Sequence, residues 1–136
     1  RDDVDARSLA NQYAQMLGQV FTHEMKPMEV EILVAEVGRS PEGDQLFHIL
    51  YDGTLIDESG WAVLGGEAEA IGNRLESAWS EGGSLSEALR AAVGALAGPD
   101  RTLGHSDLEV AILDRAAPRR TFRRIEDGDV NRLLEG

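Results

Sequence analysis

The sequence predicts an α+β chain in which antiparallel strands are covered by helices. Two observations carry this. Strand patterns come in runs and helix patterns come in runs, an order that favours antiparallel pairing over βαβ crossovers. The stretch Tyr51-Asp52-Gly53-Thr54, followed by Trp61-Ala62-Val63-Leu64-Gly65-Gly66-Glu67, reads as strand, turn, strand, glycine corner, helix. Asp-Gly between apolar runs signals a tight hairpin, and a type I′ turn with positive φ at both central residues is expected there. The glycine pair lets the backbone turn where a side chain would clash.

The first element is a helix from about Val4 to Thr22. Leu9, Tyr13, Met16, Leu17 and Val20 recur at spacings of three and four, giving one apolar face. Asp2, Asp3 and Asp5 stand where a helix start favours negative charge. Lys26 and Pro27 mark its far end. A strand from Met28 to Val37 follows. Met28, Val30 and Ile32 alternate with Glu29 and Glu31, and Ile32 to Val37 is apolar on both faces except at Glu36. One wet end and a doubly packed remainder are therefore expected.

Gly38 to Asp44 is a loop containing Pro41 and Gly43. Gln45 to Tyr51 is the second strand, Thr54 to Ile56 returns from the turn, and Trp61 to Leu64 is a short buried strand. Ile71, Leu75, Ala78 and Trp79 form the apolar face of a helix ended by Gly82-Gly83. Ser84 with Glu87 is a capping box, in which each residue satisfies an orphaned N–H near the other. Leu85, Ala88, Leu89, Ala92, Val93 and Leu96 mark the next helix, stopped by Gly98-Pro99. The short link makes an antiparallel helical hairpin, with Leu75 and Leu89 expected to be buried against the sheet. Leu108 to Leu113, a turn at Ala117-Pro118, and a strand around Arg120 to Ile125 follow. A last helix is capped by Asp127 or Asp129 and packs through Val130, Leu133 and Leu134.

Length fits one domain, residues 1–136, with enough chain to bury a core. The chain is 42% hydrophobic and 28% charged, an ordinary globular balance rather than a disordered one. No cysteine is present, which suits a reducing cytoplasm. No apolar run is long enough to span a bilayer. Arg1-Asp2-Asp3-Val4-Asp5 has neither an initiator methionine nor a signal-peptide pattern. The net charge of −12 opposes general binding to nucleic acid or anionic membrane. Arg119, Arg120, Arg123 and Arg124 cluster around Phe122 against that trend. They read either as an edge strand pairing with carboxylates or as a docking surface for an acidic neighbour.

A search for chemistry returns little. There is no phosphate loop and no G-x-G-x-x-G. His23-Glu24 begins like a zinc-protease motif, but Pro27 stands where the second histidine belongs. His23, His48 and His105 are far apart in sequence, and His48 reads as a hydrogen-bonded sheet or core residue. Asp52 is explained as a turn former, and Asp57 and Glu58 as solvated loop residues. A terminal nucleophile can use its own α-amino group as base, but the first residue is Arg1, and Thr54 is taken up by the hairpin turn. No catalytic, cofactor-binding or metal-ligating residue is assigned.

Five stretches nevertheless carry a resemblance. They are Arg7-Ser8-Leu9-Ala10-Asn11-Gln12-Tyr13-Ala14-Gln15, Glu29-Val30-Glu31-Ile32-Leu33-Val34-Ala35-Glu36-Val37, Tyr51-Asp52-Gly53, Gly65-Gly66, and Ser106-Asp107-Leu108-Glu109-Val110-Ala111-Ile112-Leu113-Asp114. In order and spacing the chain resembles, end to end, the second part of a proteasome α subunit. Pro118-Arg119-Arg120-Thr121-Phe122-Arg123-Arg124-Ile125 makes it most similar to the actinobacterial type.

The resemblance implies a fold and a role. The family fold is a four-layer αββα sandwich shared with N-terminal-nucleophile hydrolases, and this chain would supply its C-terminal portion. The family's N-terminal gate segment, first helix, first strands and lysine-bearing activator pocket would all precede Arg1, so none of those positions is carried over. The implied function is a non-catalytic structural subunit of a threonine-type endopeptidase complex in the cytoplasm. In the intact subunit, seven α chains form a ring that caps the β rings, gates protein substrates and receives a ring-shaped ATPase activator. No cofactor is implied. Two alternatives stand beside it: a catalytic hydrolase of the same fold, and a stand-alone α+β module that dimerises or binds a ligand. An isolated piece of a two-sheet sandwich is expected to self-associate through uncovered sheet edges and faces.

Overall fold

The computed structural model describes residues 5–23 and 30–136. Expectations for Asp2, Asp3, Glu24, Lys26, Pro27, Met28 and Glu29, and for the side chains of Val20 and His23, fall outside the described residues. The chain forms two compact units, Arg1–Leu64 and Gly65–Gly136.

In the first unit, helix α1 (Ala6–His23) packs on an antiparallel sheet of order β1-β2-β3, with β1 Ile32–Glu36, β2 Gln45–Ile49 and β3 Leu55–Glu58. Asp5 starts the helix: its Oδ1 accepts a bond from the Ser8 amide at 2.8 Å, satisfying a donor the helix cannot. The Ala6 amide donates to Glu36 Oε1 at 2.9 Å, tying the helix start to the end of β1. The core gathers Ala6, Ala10, Leu17, Val34, Phe47 and Ile49, with Leu9, Tyr13, Ala14, Ile32 and Leu55 against it. Small Ala6 and Ala10 sit at the centre because they let helix and sheet approach closely. Met16, expected on that face, is 51% exposed. The buried line runs through Ala6, Ala10, Tyr13 and Leu17, rotated away from it.

The register pairs Val34 with Phe47 and Phe47 with Asp57, and pairs Leu33 with His48 and His48 with Ile56. Alternation along a strand then puts Ile32, Val34, Phe47, Ile49 and Leu55 on the helix side. Leu33, at 43% exposure, and exposed Ala35 lie on the other side, so β1 is packed on one face and not on both as its apolar run suggested. An unbroken apolar run does not by itself report double burial.

The hairpin joining β2 to β3 differs from the type I′ expectation. The Gly53 amide donates to Leu50 O at 2.9 Å, and the Leu50 amide donates to Thr54 O at 2.9 Å. Gly53 has φ +90°. The connection is thus three residues, a turn through Tyr51 and Asp52 followed by a left-handed glycine bulge. Trp61–Leu64 is half-buried but belongs to neither sheet among the described residues, correcting the fourth strand expected there.

In the second unit, α2 (Ala68–Ala78) and α3 (Leu85–Ala97) pack together, and α4 (Asp127–Glu135) packs on α3. The Ser84–Glu87 capping box is present, with bonds of 3.0 and 3.1 Å. Gly98, at φ +73°, ends α3 as expected. Helix α2 stops earlier than Gly82-Gly83, because Trp79 is already extended at ψ 133°. Leu75 is buried, whereas Leu89 is half-buried and Ala78 exposed. Strands β4 (Ala111–Leu113) and β5 (Phe122–Arg124) form a separate two-stranded antiparallel ribbon. Helix α4 is entered through extended Glu126; Asp127 and Asp129 occupy its first turn, where they favour the dipole without capping it.

Candidate functional site

Three places gather polar or exposed groups. The first surrounds His48, on the sheet face opposite α1. Its Nε2 lies 2.8 Å from Glu31 Oε2, and its Nδ1 lies 3.6 Å from Glu58 Oε2. His48 is buried at 8% exposure. Its strand partners are Leu33 and Ile56, so Glu31 and Glu58 are its diagonal neighbours, two positions on. The two carboxylates address opposite ring nitrogens and do not converge on one point in front of a single nitrogen. Among the described residues, no three metal-binding side chains form a group able to hold an ion. The arrangement does tie β2 to β3 and to the residues entering β1, and it bears out His48 as a hydrogen-bonded sheet residue.

The remaining acidic candidates are dispersed. Asp52 Oδ1 accepts the Thr54 amide at 2.9 Å, and the bonds from Thr54 hold its carboxyl below the usual carboxylate range. That is the turn-forming role expected of it. Asp57 and Glu58 lie in β3 rather than in a loop, and adjacent strand residues face opposite ways. Asp57 meets Arg7 at 3.4 Å, and the Arg7 guanidinium sits 4.8 Å above the Phe47 ring centre. Glu58 belongs to His48. Sequence reading missed Glu31 and Glu58 as a pair; the signal lay in the register, which only the turn geometry fixes. His105 Nδ1 is 3.4 Å from Asp127 Oδ2, in geometry too poor for a hydrogen bond.

The second place is an open cleft of about 330 Å³ where α2 ends and α3 begins. Ala78, Ala88 and Ala91 make its walls, with Ser80, Glu87 and Arg90. Glu87 is already committed to the capping box: bonds from the Ser84 amide and hydroxyl hold its carboxyl below the ordinary range.

The third is the β4–β5 ribbon. Leu113 and Phe122 are cross-strand partners, exposed at 37% and 51%. All three residues of β5 are exposed. Arg124 bonds Glu109 at 2.9 Å. The side chains of Arg119, Arg120 and Arg123 make no hydrogen bond or ion pair among the described residues. Only one arginine of the cluster therefore follows the edge-strand reading.

Antiparallel strands and helices, segregated along the chain in this order, define an α+β architecture. Residues 2–113 match the family model described as proteasome subunit, and the chain belongs to that family. Among curated relatives, a protein named Proteasome subunit alpha from Acidimicrobium ferrooxidans is 54% identical over 134 residues, spanning 98% of this chain and 58% of that protein. Its namesake from Xylanimonas cellulosilytica is 52% identical, over 92% of this chain and 56% of its own length. That from Kineococcus radiotolerans is 49% identical over 100% of this chain and 61% of its own. The chain thus spans somewhat over half the length of these relatives. No described helix is long and apolar enough to cross a membrane.

Proposed function

We propose that this chain is the C-terminal portion of an α-type subunit of a proteasome core, acting as a non-catalytic structural component. Residues 1–136 are then one domain of that subunit. The observation that supports this is identity of about half the residues, sustained along nearly the whole chain, with proteins named Proteasome subunit alpha. In the intact subunit, α chains form a heptameric ring that caps the β rings of a threonine-type endopeptidase in the cytoplasm. The ring gates substrate entry and receives a ring-shaped ATPase activator. The chemistry of the described residues fits a scaffold: each carboxylate near the hairpin is bound to a backbone amide, an arginine or a histidine. No observation favours the catalytic hydrolase or the stand-alone module.

The test is co-expression of the tagged chain with untagged actinobacterial proteasome α and β subunits, followed by native mass spectrometry. Recovery of α and β subunits with the chain supports the reading. A chain that recovers neither, while remaining folded, overturns it.

A further inference from the structure

His48 stands between two carboxylates that meet different nitrogens of its ring, Glu31 Oε2 at 2.8 Å from Nε2 and Glu58 Oε2 at 3.6 Å from Nδ1. An ionised carboxylate only accepts hydrogen bonds, so the 2.8 Å contact puts a hydrogen on Nε2. A neutral imidazole carries a single N–H. With that hydrogen on Nε2, Nδ1 turns a lone pair towards Glu58, and two acceptors face each other. The protonated ring has an N–H on each nitrogen and serves both carboxylates. The 3.6 Å separation matches a contact that is not always made: close enough for an ion pair, too long for a hydrogen bond.

The surroundings leave the matter to these two groups. Register and strand alternation put Leu33, Ala35, Leu46 and Ile56 on the same face as His48, and none of them titrates. Glu36 and Asp57 belong to the other face, where they are bonded to the Ala6 amide and to Arg7 of α1. His48 is buried, so water is a poor substitute partner for Nδ1. The arrangement requires no open surface, because the ring is enclosed within its own sheet.

We infer that His48 is a proton-operated tie in the sheet: its bond to Glu31 holds in both charge states of the ring, and its bond to Glu58 forms only when the ring is protonated. Glu58 is the last residue of β3. Proton loss therefore releases the side-chain tie at the end of β3, where the chain leaves the sheet, and keeps the residue entering β1 bound to β2. The unfolded chain offers the ring no such pair of acceptors. The stability supplied through Glu58 is thus present while His48 is protonated and is lost as pH rises. Histidine is the side chain that ordinarily changes charge between about pH 5 and about pH 8, so the tie responds to modest changes of acidity.

Two readouts test it. Long-range proton–nitrogen NMR of the purified chain locates the ring hydrogens, with His48→Gln assigning the signals. The hydrogen should sit on Nε2 alone at about pH 8 and on both nitrogens at about pH 5.5. Urea unfolding is then followed at the same two values. Glu58→Gln should lower the folding constant by at least about threefold at the lower pH, a coupling usual for neighbours in one network. At the higher pH it should cost nothing or stabilise, because the amide can donate to the Nδ1 lone pair. Glu31→Ala should lose stability at both, since Nε2–H loses its acceptor either way. Should His48→Gln fail to fold, His23→Gln with His105→Gln assigns the ring by elimination. Equal losses for Glu58→Gln at the two pH values, as a merely structural role would give, overturn the inference, and so does a neutral ring with its hydrogen on Nδ1. Neither result bears on recovery of proteasome subunits in co-expression, so the two readings fail separately.

Discussion

Gly53 sits against the backbone of Gly18: a Cβ at residue 53 would lie 2.7 Å from the Gly18 nitrogen and 2.6 Å from Ala14 O. The hairpin bulge thus rests directly on α1, with no side chain between them. Gly53→Ala should meet two penalties, backbone strain at φ +90° and collision with helix backbone. Gly65→Ala is the control, because φ is +119° there and nothing lies within 4 Å. Strain alone costs about 1–3 kcal/mol. Urea melts should show Gly53→Ala losing clearly more than Gly65→Ala, and equal losses would mean the bulge does not seat on the helix.

Core truncations should rank by burial. Phe47 is fully buried, and Phe47→Ala should cost about 3–5 kcal/mol. Leu75→Ala should cost about 2–5 kcal/mol, and half-buried Leu89→Ala less. Denaturant unfolding of the three variants measures the order; Leu89→Ala as the worst of them would contradict the packing of α2 and α3.

Acid should remove a defined part of the stability. Bonds from the Ser8 amide and hydroxyl, from Thr54, and from the Ser84 amide and hydroxyl hold Asp5, Asp52 and Glu87 below the ordinary carboxylate range. Each group binds its proton less readily folded than unfolded, so the unfolded chain takes up more protons in that window. Their contribution is complete above the unfolded values and is lost as pH falls through the folded ones. The combined variant Asp5→Asn, Asp52→Asn, Glu87→Gln keeps acceptors in place but does not titrate. Its melting temperature should fall less steeply than that of wild type between about pH 6 and about pH 3. Parallel curves would show that these three turns and caps do not carry the effect.

The purified chain should not hydrolyse fluorogenic peptides. Turnover that survives repurification and disappears on substituting a single residue of this chain would remove the scaffold reading.

The sequence made the meander, the helical hairpin and its capping box legible, since apolar periodicity and the Ser84–Glu87 spacing are local signals. What it concealed followed largely from one turn. A two-residue Asp52-Gly53 loop would place Asp57 opposite His48, whereas the three-residue connection places Ile56 there. That single-residue slip exchanges the faces of Asp57 and Glu58, so the His48 cluster could not be assembled from spacing alone. The α1 face was misjudged for another reason. Alanine scores weakly as apolar, yet Ala6 and Ala10 mark where helix meets sheet most closely. The exposure of β5 depends on how many strands its ribbon acquires, which no local pattern encodes.

Helix α3 ends without a basic residue in its last turn. Arg74 from α2 bonds Ala95 O, and beyond the helix Arg101 bonds Leu96 O at 3.0 Å. Positive charge thus reaches the carbonyl end from outside, which frees residues 91–97 to remain small and apolar. Positions 74 and 101 are therefore bound by descent to a helix that contains neither of them. A lineage that loses both arginines should regain a cation within 94–97, so substitution histories at these sites should be correlated.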